Sequence, residues 1–288
     1  MQSYSKFIKS LPVIPDVAAK VLGMAEDKLD ISFRELEEII KIDPGLSAKI
    51  LKVANSALYA RQKEIKSLQM AITMLGFRNI RSLVLLVTAS NMFTKEKQSE
   101  FYQFFWKHSI INAFMTKDMA DRTRNRQLAD ECFLAGLLHD IGQVALHNSD
   151  QEKYQEVLSL AGSRGTRISE VERGRFDSDH KEVGAAVLRE WSFPDVYVHA
   201  ALEHGSPNIT SSHKQVVLLV SVADFVTSNI DIYTESPLPL SLMRDVYIQT
   251  GLREEDLLFY QNEFLGSLRE EPLFNECQTL FNLEPIPA

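Results

Sequence analysis

The chain has 288 residues, of which 45% are hydrophobic, 24% charged and 9% aromatic. This composition is typical of a globular protein and excludes disordered, collagen-like and coiled-coil classes. The net charge of −8 disfavours nonspecific binding to nucleic-acid phosphates. Cys132 and Cys277 form no Cys-x-x-Cys pair, so neither a disulfide framework nor a zinc ribbon is indicated. Because no apolar run is long enough to span a bilayer, we expect a soluble, cytoplasmic protein with neither a membrane nor a nucleic-acid partner.

Apolar residues recur with the period of α-helices along most of the chain, and few alternating runs compete with them. This pattern predicts an all-α fold. Ser32 and Glu35 have the spacing of a capping box, and Asp43 followed by Pro44 is expected to begin the next helix. A tight helix pair of this kind also resembles, in outline, a DNA-binding helix-turn-helix unit. Since its second helix offers only two lysines among apolar residues, we interpret the pair as packing.

The middle of the chain predicts a short helix ending at Gly76 and a longer one beginning at Asn79. A polar gap over residues 95–99 precedes an aromatic-rich helix that starts at Glu100. We place a domain limit in this gap, because composition changes there. The predicted parts are an N-terminal helical subdomain over residues 1–97, a helical bundle over 98–232 and a helical tail over 233–288.

Histidines and aspartates on the predicted helices carry the most information about function. His139 and Asp140 are adjacent within a stretch of apolar and small residues, which predicts that both side chains are buried. Burial of such groups is costly unless a partner satisfies them, and a divalent cation is one such partner. Asp224 is the only charge in residues 216–226 and needs a partner for the same reason. The candidate residues are His108, His139, Asp140, His180, His204 and Asp224.

Small residues accompany these candidates. Gly136 and Gly142 lie about one helical turn before and after the His139–Asp140 pair, and Gly184 lies one turn after His180. Glycine lets two helix backbones approach closely, because it carries no β-carbon. We therefore expect helices that are distant in sequence to bring these polar residues together.

The polar residues could instead satisfy one another without a metal. Asp140 and Asp224 would then pair with His108 and His139 as hydrogen-bonded structural groups. Taken alone, His108 on its apolar stripe is typical of a core histidine. Cys132 shares a helix face with His139 but lies about 10 Å away along the axis, so we do not expect it to be a ligand.

The order of the candidate residues resembles the HD superfamily of metal-dependent phosphohydrolases. The surrounding sequence resembles more specifically the HDOD branch, the HD-related output domain of bacterial signalling. Together the matching stretches cover about residues 11–230. They are Leu11–Pro15, Asp43–Ser47, Ala54–Tyr59, Ala71–Gly76, Trp106–Ser109, Leu134–Gly142, and Trp191 with Pro194.

The resemblance implies an N-terminal helical subdomain packed on an HD-like helical bundle. It also implies a first metal bound by His108, His139, Asp140 and Asp224, with His180 and His204 as ligands of a second metal. Imidazole nitrogens with carboxylate oxygens suit iron, manganese, nickel or zinc. In an active enzyme, Asp140 and His139 would be the catalytic residues at this site.

The sequence departs from active relatives at two positions. Cyclic di-GMP phosphodiesterases of the superfamily carry lysine where this chain has Gln143, and a second histidine where it has Gly205. Because HDOD domains are regarded as regulatory or scaffolding modules, we expect binding of a signalling protein or a small nucleotide-like ligand without turnover. The alternative is a metal-dependent phosphohydrolase of nucleotides or phosphorylated metabolites, since a mononuclear site needs only the first metal set. Lys107 and Lys181 would then contact phosphate, or they are ordinary surface side chains.

Overall fold

The computed structural model describes residues 4–12, 15–22, 24, 29–55, 65–92, 99–206, 208–229 and 244–285. No strand occurs in these ranges, and the predicted all-α class is confirmed. A short 3-10 helix spans Arg126–Leu128. The α-helices are α1 (Ser5–Ile8), α2 (Asp16–Leu22), α3 (Leu29–Lys41), α4 (Pro44–Ala54), α5 (Leu68–Met92), α6 (Glu100–Arg122), α7 (Ala129–Leu138), α8 (Ile141–Ser149), α9 (Gln151–Arg164), α10 (Ile168–Phe176), α11 (His180–Glu190), α12 (Asp195–Glu203), α13 (Lys214–Asn229), α14 (Arg244–Thr250), α15 (Glu254–Asn262), α16 (Phe264–Arg269) and α17 (Pro272–Phe281).

The chain divides into two compact units. The first unit comprises residues 1–13, 116–225 and 241–252, and the second comprises residues 14–115, 226–240 and 253–288. The divisions after residues 115 and 225 fall within α6 and α13, whereas the sequence placed its limits at 97 and 232 in polar or proline-containing stretches. Residues 93–98 and 230–243 lie outside the described ranges. The three-part domain division stays a prediction.

The second unit shows which local signals begin and end helices. The carboxylate of Asp43 accepts a hydrogen bond from the amide of Leu46 at 3.0 Å, and Pro44 occupies the first turn of α4, as predicted. The expected helix start at Ser32 is wrong, because α3 already begins at Leu29. Serine costs little in a helix interior, so a serine that resembles a cap does not have to be one. The motif Ala54–Tyr59 lies partly outside the described residues.

Gly76 divides α5 into two arms, as the sequence predicted. Its backbone adopts φ 80° and ψ 160°, which a residue with a β-carbon rarely adopts, and the arms meet at 109°. No single helix of the described residues is both long and apolar enough to cross a bilayer; the two arms reach that standard only when taken together. Many of their apolar side chains, including Ile72, Ile80 and Val84, are buried in the protein core.

Helices α8 and α11 approach closely in the first unit. A β-carbon on Gly142 would overlap the carbonyl oxygen of His180 and lie 2.6 Å from the amide nitrogen of Gly184. A β-carbon on Gly184 would lie 3.2 Å from the amide nitrogen of Gly142. The prediction that these glycines permit helix contact is confirmed. Their contact places His180, at the start of α11, beside the start of α8.

This contact predicts a strong effect of one methyl group. We expect Gly142→Ala to lower the free energy of unfolding by about 3 kcal/mol or more, because α8 and α11 must separate to admit the methyl. The matched control is Gly162→Ala on α9, where an added β-carbon meets nothing within 4 Å. That variant should keep or raise stability by up to about 1 kcal/mol. Urea denaturation measures both, and equal stability would contradict the close contact.

Candidate metal centre

His139 and Asp140 form the break between two helices of the first unit. Helix α7 ends at Leu138, and α8 begins at Ile141. Asp140 stands in the N-cap position of α8, but its side chain makes no capping hydrogen bond. A carboxylate in this position usually accepts bonds from first-turn amides. Here it faces imidazole rings instead.

Imidazole nitrogens surround the Asp140 carboxylate. The Nε2 atoms of His180 and His204 lie 3.4 and 3.3 Å from its Oδ1, and that of His139 lies 3.5 Å from its Oδ2. These four residues are each 5% exposed or less. The same His139 Nε2 lies 3.5 Å from Oδ1 of Asp224. His139 is thus a partner for the Asp224 carboxylate, which the sequence predicted to need one. Five predicted residues therefore meet within one unit, and their role as metal ligands stays a prediction.

His108 belongs to the second unit. It lies on α6, is partly buried, and its ring stacks on that of Phe104 with centroids 6.4 Å apart. Its membership of the first metal set stays a prediction. Lys107, the neighbouring candidate for phosphate contact, belongs to the same unit.

The three imidazoles around Asp140 each use Nδ1 for a neighbouring acceptor. A neutral imidazole has one N–H, and an acceptor at Nδ1 places that proton there. The Nε2 lone pair then points toward the carboxylates, as in a metal-ligating histidine. The three contacts are His139 Nδ1 with Gly136 O at 2.7 Å, His204 Nδ1 with Ala200 O at 3.0 Å, and His180 Nδ1 with Glu172 Oε2 at 2.6 Å.

This donor set fits a divalent cation. Asp140, His180 and His204 each offer one ligand atom, and the three atoms lie within 4.8 Å of one another. With Nδ1 protonated, the Nε2 lone pairs face carboxylate oxygens without a proton between them, and a cation would bind both. Two nitrogens and one oxygen without a thiolate suit iron, manganese, nickel or zinc without distinguishing them.

Protons compete for the same place, as the pKa shifts show. Burial lowers the pKa of His180, but Glu172 and Asp140 outweigh burial and raise it to about 9. Burial also lowers the pKa of His139, and its carboxylate neighbours again raise it above the usual value. For Asp140, burial raises the pKa, yet the three imidazoles hold that carboxyl well below its usual range. Burial dominates at His204 and lowers its pKa. Metal binding at this site would therefore release protons.

Two polar side chains beside the centre are committed to protein groups. Gln143 donates from Nε2 to Asp140 Oδ2 at 2.6 Å and is buried. Lys181 donates from Nζ to the carbonyl oxygen of His204 at 2.6 Å. The lysine therefore supports the backbone that carries a candidate ligand, which is neither of the roles expected from the sequence.

The turn after α12 is built around Gly205. Its φ of +64° is left-handed, and a β-carbon there would lie 3.3 Å from Lys181 Nζ. Its amide donates to Ser221 Oγ at 2.9 Å, and that hydroxyl donates to the carbonyl oxygen of Val217 at 2.6 Å. A second histidine at this position would be strained. The glycine that the chain has in place of the second histidine of the cyclic di-GMP phosphodiesterases thus agrees with the local backbone.

Sequence reasoning missed Glu172, which contacts His180, and Tyr154, whose hydroxyl donates to Glu172 Oε1 at 2.8 Å. Glu172 lies on α10 between exposed Glu170 and Arg173, a pattern that is typical of a solvent-facing helix. The available signal was a carboxylate eight residues before a candidate histidine. Spacing across the intervening turn does not fix its direction, and only the tertiary structure reveals the contact.

Ser221 supplies a test of this turn. We expect Ser221→Ala to lower the free energy of unfolding by about 1 kcal/mol, because the amide of exposed Gly205 loses the buried Ser221 hydroxyl as its acceptor. Ser163→Ala on α9 is the control, since this exposed hydroxyl donates to the carbonyl oxygen of Leu160 three residues earlier, as Ser221 donates to that of Val217 four residues earlier. Its stability should change by no more than about 0.5 kcal/mol. Chemical denaturation measures both, and a neutral Ser221→Ala would show that the turn does not depend on this bond.

The sequence matches a known family, and solved structures of other proteins have a similar fold. A family model described as HDOD domain matches residues 11–207. An HDOD domain protein of unknown function from Geobacter sulfurreducens is 23% identical with a TM-score of 0.76, covering 97% of each chain. A proposed signal transduction protein from Marinobacter aquaeolei VT8 is 21% identical with a TM-score of 0.76, covering 98% of this chain and 62% of that one. A proposed metal-dependent phosphohydrolase from Shewanella amazonensis SB2B is 25% identical with a TM-score of 0.59, covering 96% of each chain.

A curated relative also matches most of the sequence. It is an uncharacterised protein of Treponema pallidum (strain Nichols), 22% identical over 245 residues. The match covers 82% of this chain and 47% of the relative. The chain thus spans about half the length of that protein.

Proposed function

The chain belongs to the HDOD domain family, and we propose that it is a regulatory module of bacterial signalling that binds a partner without turnover. The partner class that we propose is a signalling protein or a small nucleotide-like ligand. A protein of the same fold from Marinobacter aquaeolei VT8 carries the description of a proposed signal transduction protein. The module would act by binding, and its metal centre would hold the fold in the competent form.

The observation that carries this proposal is the position of Gln143. Active relatives place a lysine here, whose charge neutralises a phosphate in the transition state. A neutral amide cannot replace that charge. In this chain the amide also donates to Asp140 Oδ2 at 2.6 Å, so it serves a candidate metal ligand. This arrangement supports binding without phosphate hydrolysis.

We propose that the His–Asp cluster holds iron, manganese, nickel or zinc. The residues of the first unit that would hold it are His139, Asp140, His180, His204 and Asp224. A bound metal of this class supplies a Lewis acid and a cross-link between the helices that carry its ligands. The buried imidazoles, each with an acceptor at Nδ1, support this assignment.

The alternative function is a metal-dependent phosphohydrolase acting on a nucleotide or phosphorylated metabolite. One observation favours it: Nε2 of His139 lies 3.5 Å from carboxylate oxygens of both Asp140 and Asp224, so three residues of the first metal set lie together. In this case Asp140 and His139 would be the catalytic residues. A proposed metal-dependent phosphohydrolase shares 25% identity with the chain.

A cytoplasmic location also remains our proposal. Cys132 and Cys277 are both free and buried, as expected for a protein of a reducing compartment. The net charge of −8 supports the absence of a nucleic-acid partner.

Metal content is the first test. In protein purified without an affinity tag, we expect about one equivalent of a transition metal per chain or more, and a chelator should lower Tm by several degrees. Asp140→Ala should lose the metal, whereas Asp195→Ala at the exposed start of α12 should retain it. Elemental analysis and thermal denaturation measure these effects. Metal-free protein with an unchanged Tm would leave the cluster as hydrogen-bonded structural residues.

Turnover is the second test and separates the two functions. We expect metal-loaded protein to release no product from nucleotides or cyclic dinucleotides, while a bound ligand of this class would raise Tm. Chromatography of the reaction products decides between the functions. Robust hydrolysis that Asp140→Ala abolishes, together with a pull-down that recovers no partner, would overturn the regulatory proposal and establish the enzyme.

A further inference from the structure

Glu172 is a wholly buried carboxylate on an otherwise charged and largely exposed helix. Its relative exposure is 0%, whereas Glu170 and Arg173 on the same helix are exposed. Burying an ionised carboxylate is costly unless hydrogen bonds compensate its lost hydration. Glu172 therefore requires hydrogen-bond partners within the protein.

Both carboxylate oxygens of Glu172 have partners. Oε1 accepts the hydroxyl proton of Tyr154, itself fully buried on α9, at 2.8 Å. Oε2 accepts from the backbone amide of His180 at 2.9 Å and contacts its ring Nδ1 at 2.6 Å. The carboxylate thus fixes both the backbone and the ring of the first residue of α11.

His180 differs in this respect from the other two imidazoles of the centre. The Nδ1 atoms of His139 and His204 face backbone carbonyl oxygens, within one turn of their own chain segment. The Nδ1 of His180 faces a carboxylate from another helix. A carboxylate at Nδ1 holds the proton there, directs the Nε2 lone pair toward the metal position and makes the ring a stronger ligand.

We propose that Glu172, held in place by Tyr154, is the positioning residue that fixes His180 as an Nε2 ligand of the metal centre. This inference rests on the proposed metal centre and adds a chain of three residues, Tyr154, Glu172 and His180, across three helices. Glu172 itself is too committed to be a ligand, because both its oxygens already accept hydrogen bonds. It acts through His180.

The conservative variant Glu172→Gln removes the charge and keeps the shape. An amide offers one acceptor oxygen for three donors, and its NH₂ group favours the tautomer with the proton on Nε2. We expect the Kd for cobalt(II), measured by competition with a chelating indicator, to rise about tenfold to a hundredfold. Tyr154→Phe should raise it less, because one support of the carboxylate is lost. Glu170→Gln, two residues earlier on the exposed side, should leave it unchanged.

A second readout distinguishes positioning from a general structural role. Nitrogen-15 spectra of metal-free protein, recorded above the raised His180 pKa of about 9 so that the ring is neutral, should place its proton on Nδ1 in the original chain and on Nε2 in Glu172→Gln. Loss of stability alone would not move this proton from one ring nitrogen to the other. The ring spectra therefore report the proposed role directly, beside the cobalt affinities.

The outcomes separate this inference from the metal centre itself. A folded Glu172→Gln protein with the original cobalt affinity and tautomer would overturn the positioning role and leave the centre intact. If that variant does not fold, an unchanged Kd in Tyr154→Phe overturns it in the same way. A chain that binds no cobalt at all would overturn the metal centre, and the positioning role with it.

Discussion

The ionised carboxylate of Asp140, buried among three imidazole rings, is the constraint on which the first unit depends. Its pKa stays well below the usual range despite burial, so its charge persists and must be compensated locally. Compensation comes from His139, His180 and His204, which reach it from the end of α7, the start of α11 and the end of α12. The packing of these helices is therefore tied to one charge.

The surrounding structure keeps these rings in place. The absence of side chains at Gly142 and Gly184 lets α8 and α11 meet, and the hydroxyl of Ser221 holds the turn that follows His204. The buried carboxylate of Glu172 holds the backbone amide and the ring of His180 in place. Each support acts on backbone or on a ring nitrogen and leaves Nε2 facing the carboxylate. A polar cluster supported in this way is pre-organised, and pre-organisation lowers the entropic cost of binding a ligand.

The sequence predicted those features that local chemistry determines. Asp43 begins α4, Gly76 interrupts α5 and Gly142 allows helix contact because each depends on a residue's own conformation or size. The burial of His139 and Asp140 also followed from their apolar neighbours. The direction of Glu172 could not be predicted, since it depends on a turn and on the packing of another helix. The extra turn at the start of α3 was missed because a capping signal can also lie inside a helix.

Four of the five candidate ligands of the first unit stand at helix ends. His139 follows α7, Asp140 precedes α8, His180 is the first residue of α11 and His204 follows α12. A helix pivots most easily about its end, and α11, with 11 residues, is about 16 Å long. A tilt of about 5° at His180 would then move the far end of α11 by about 1.4 Å. Because these four residues lie at helix ends, a small change in the distances between them would produce a larger displacement at the distant ends of their helices.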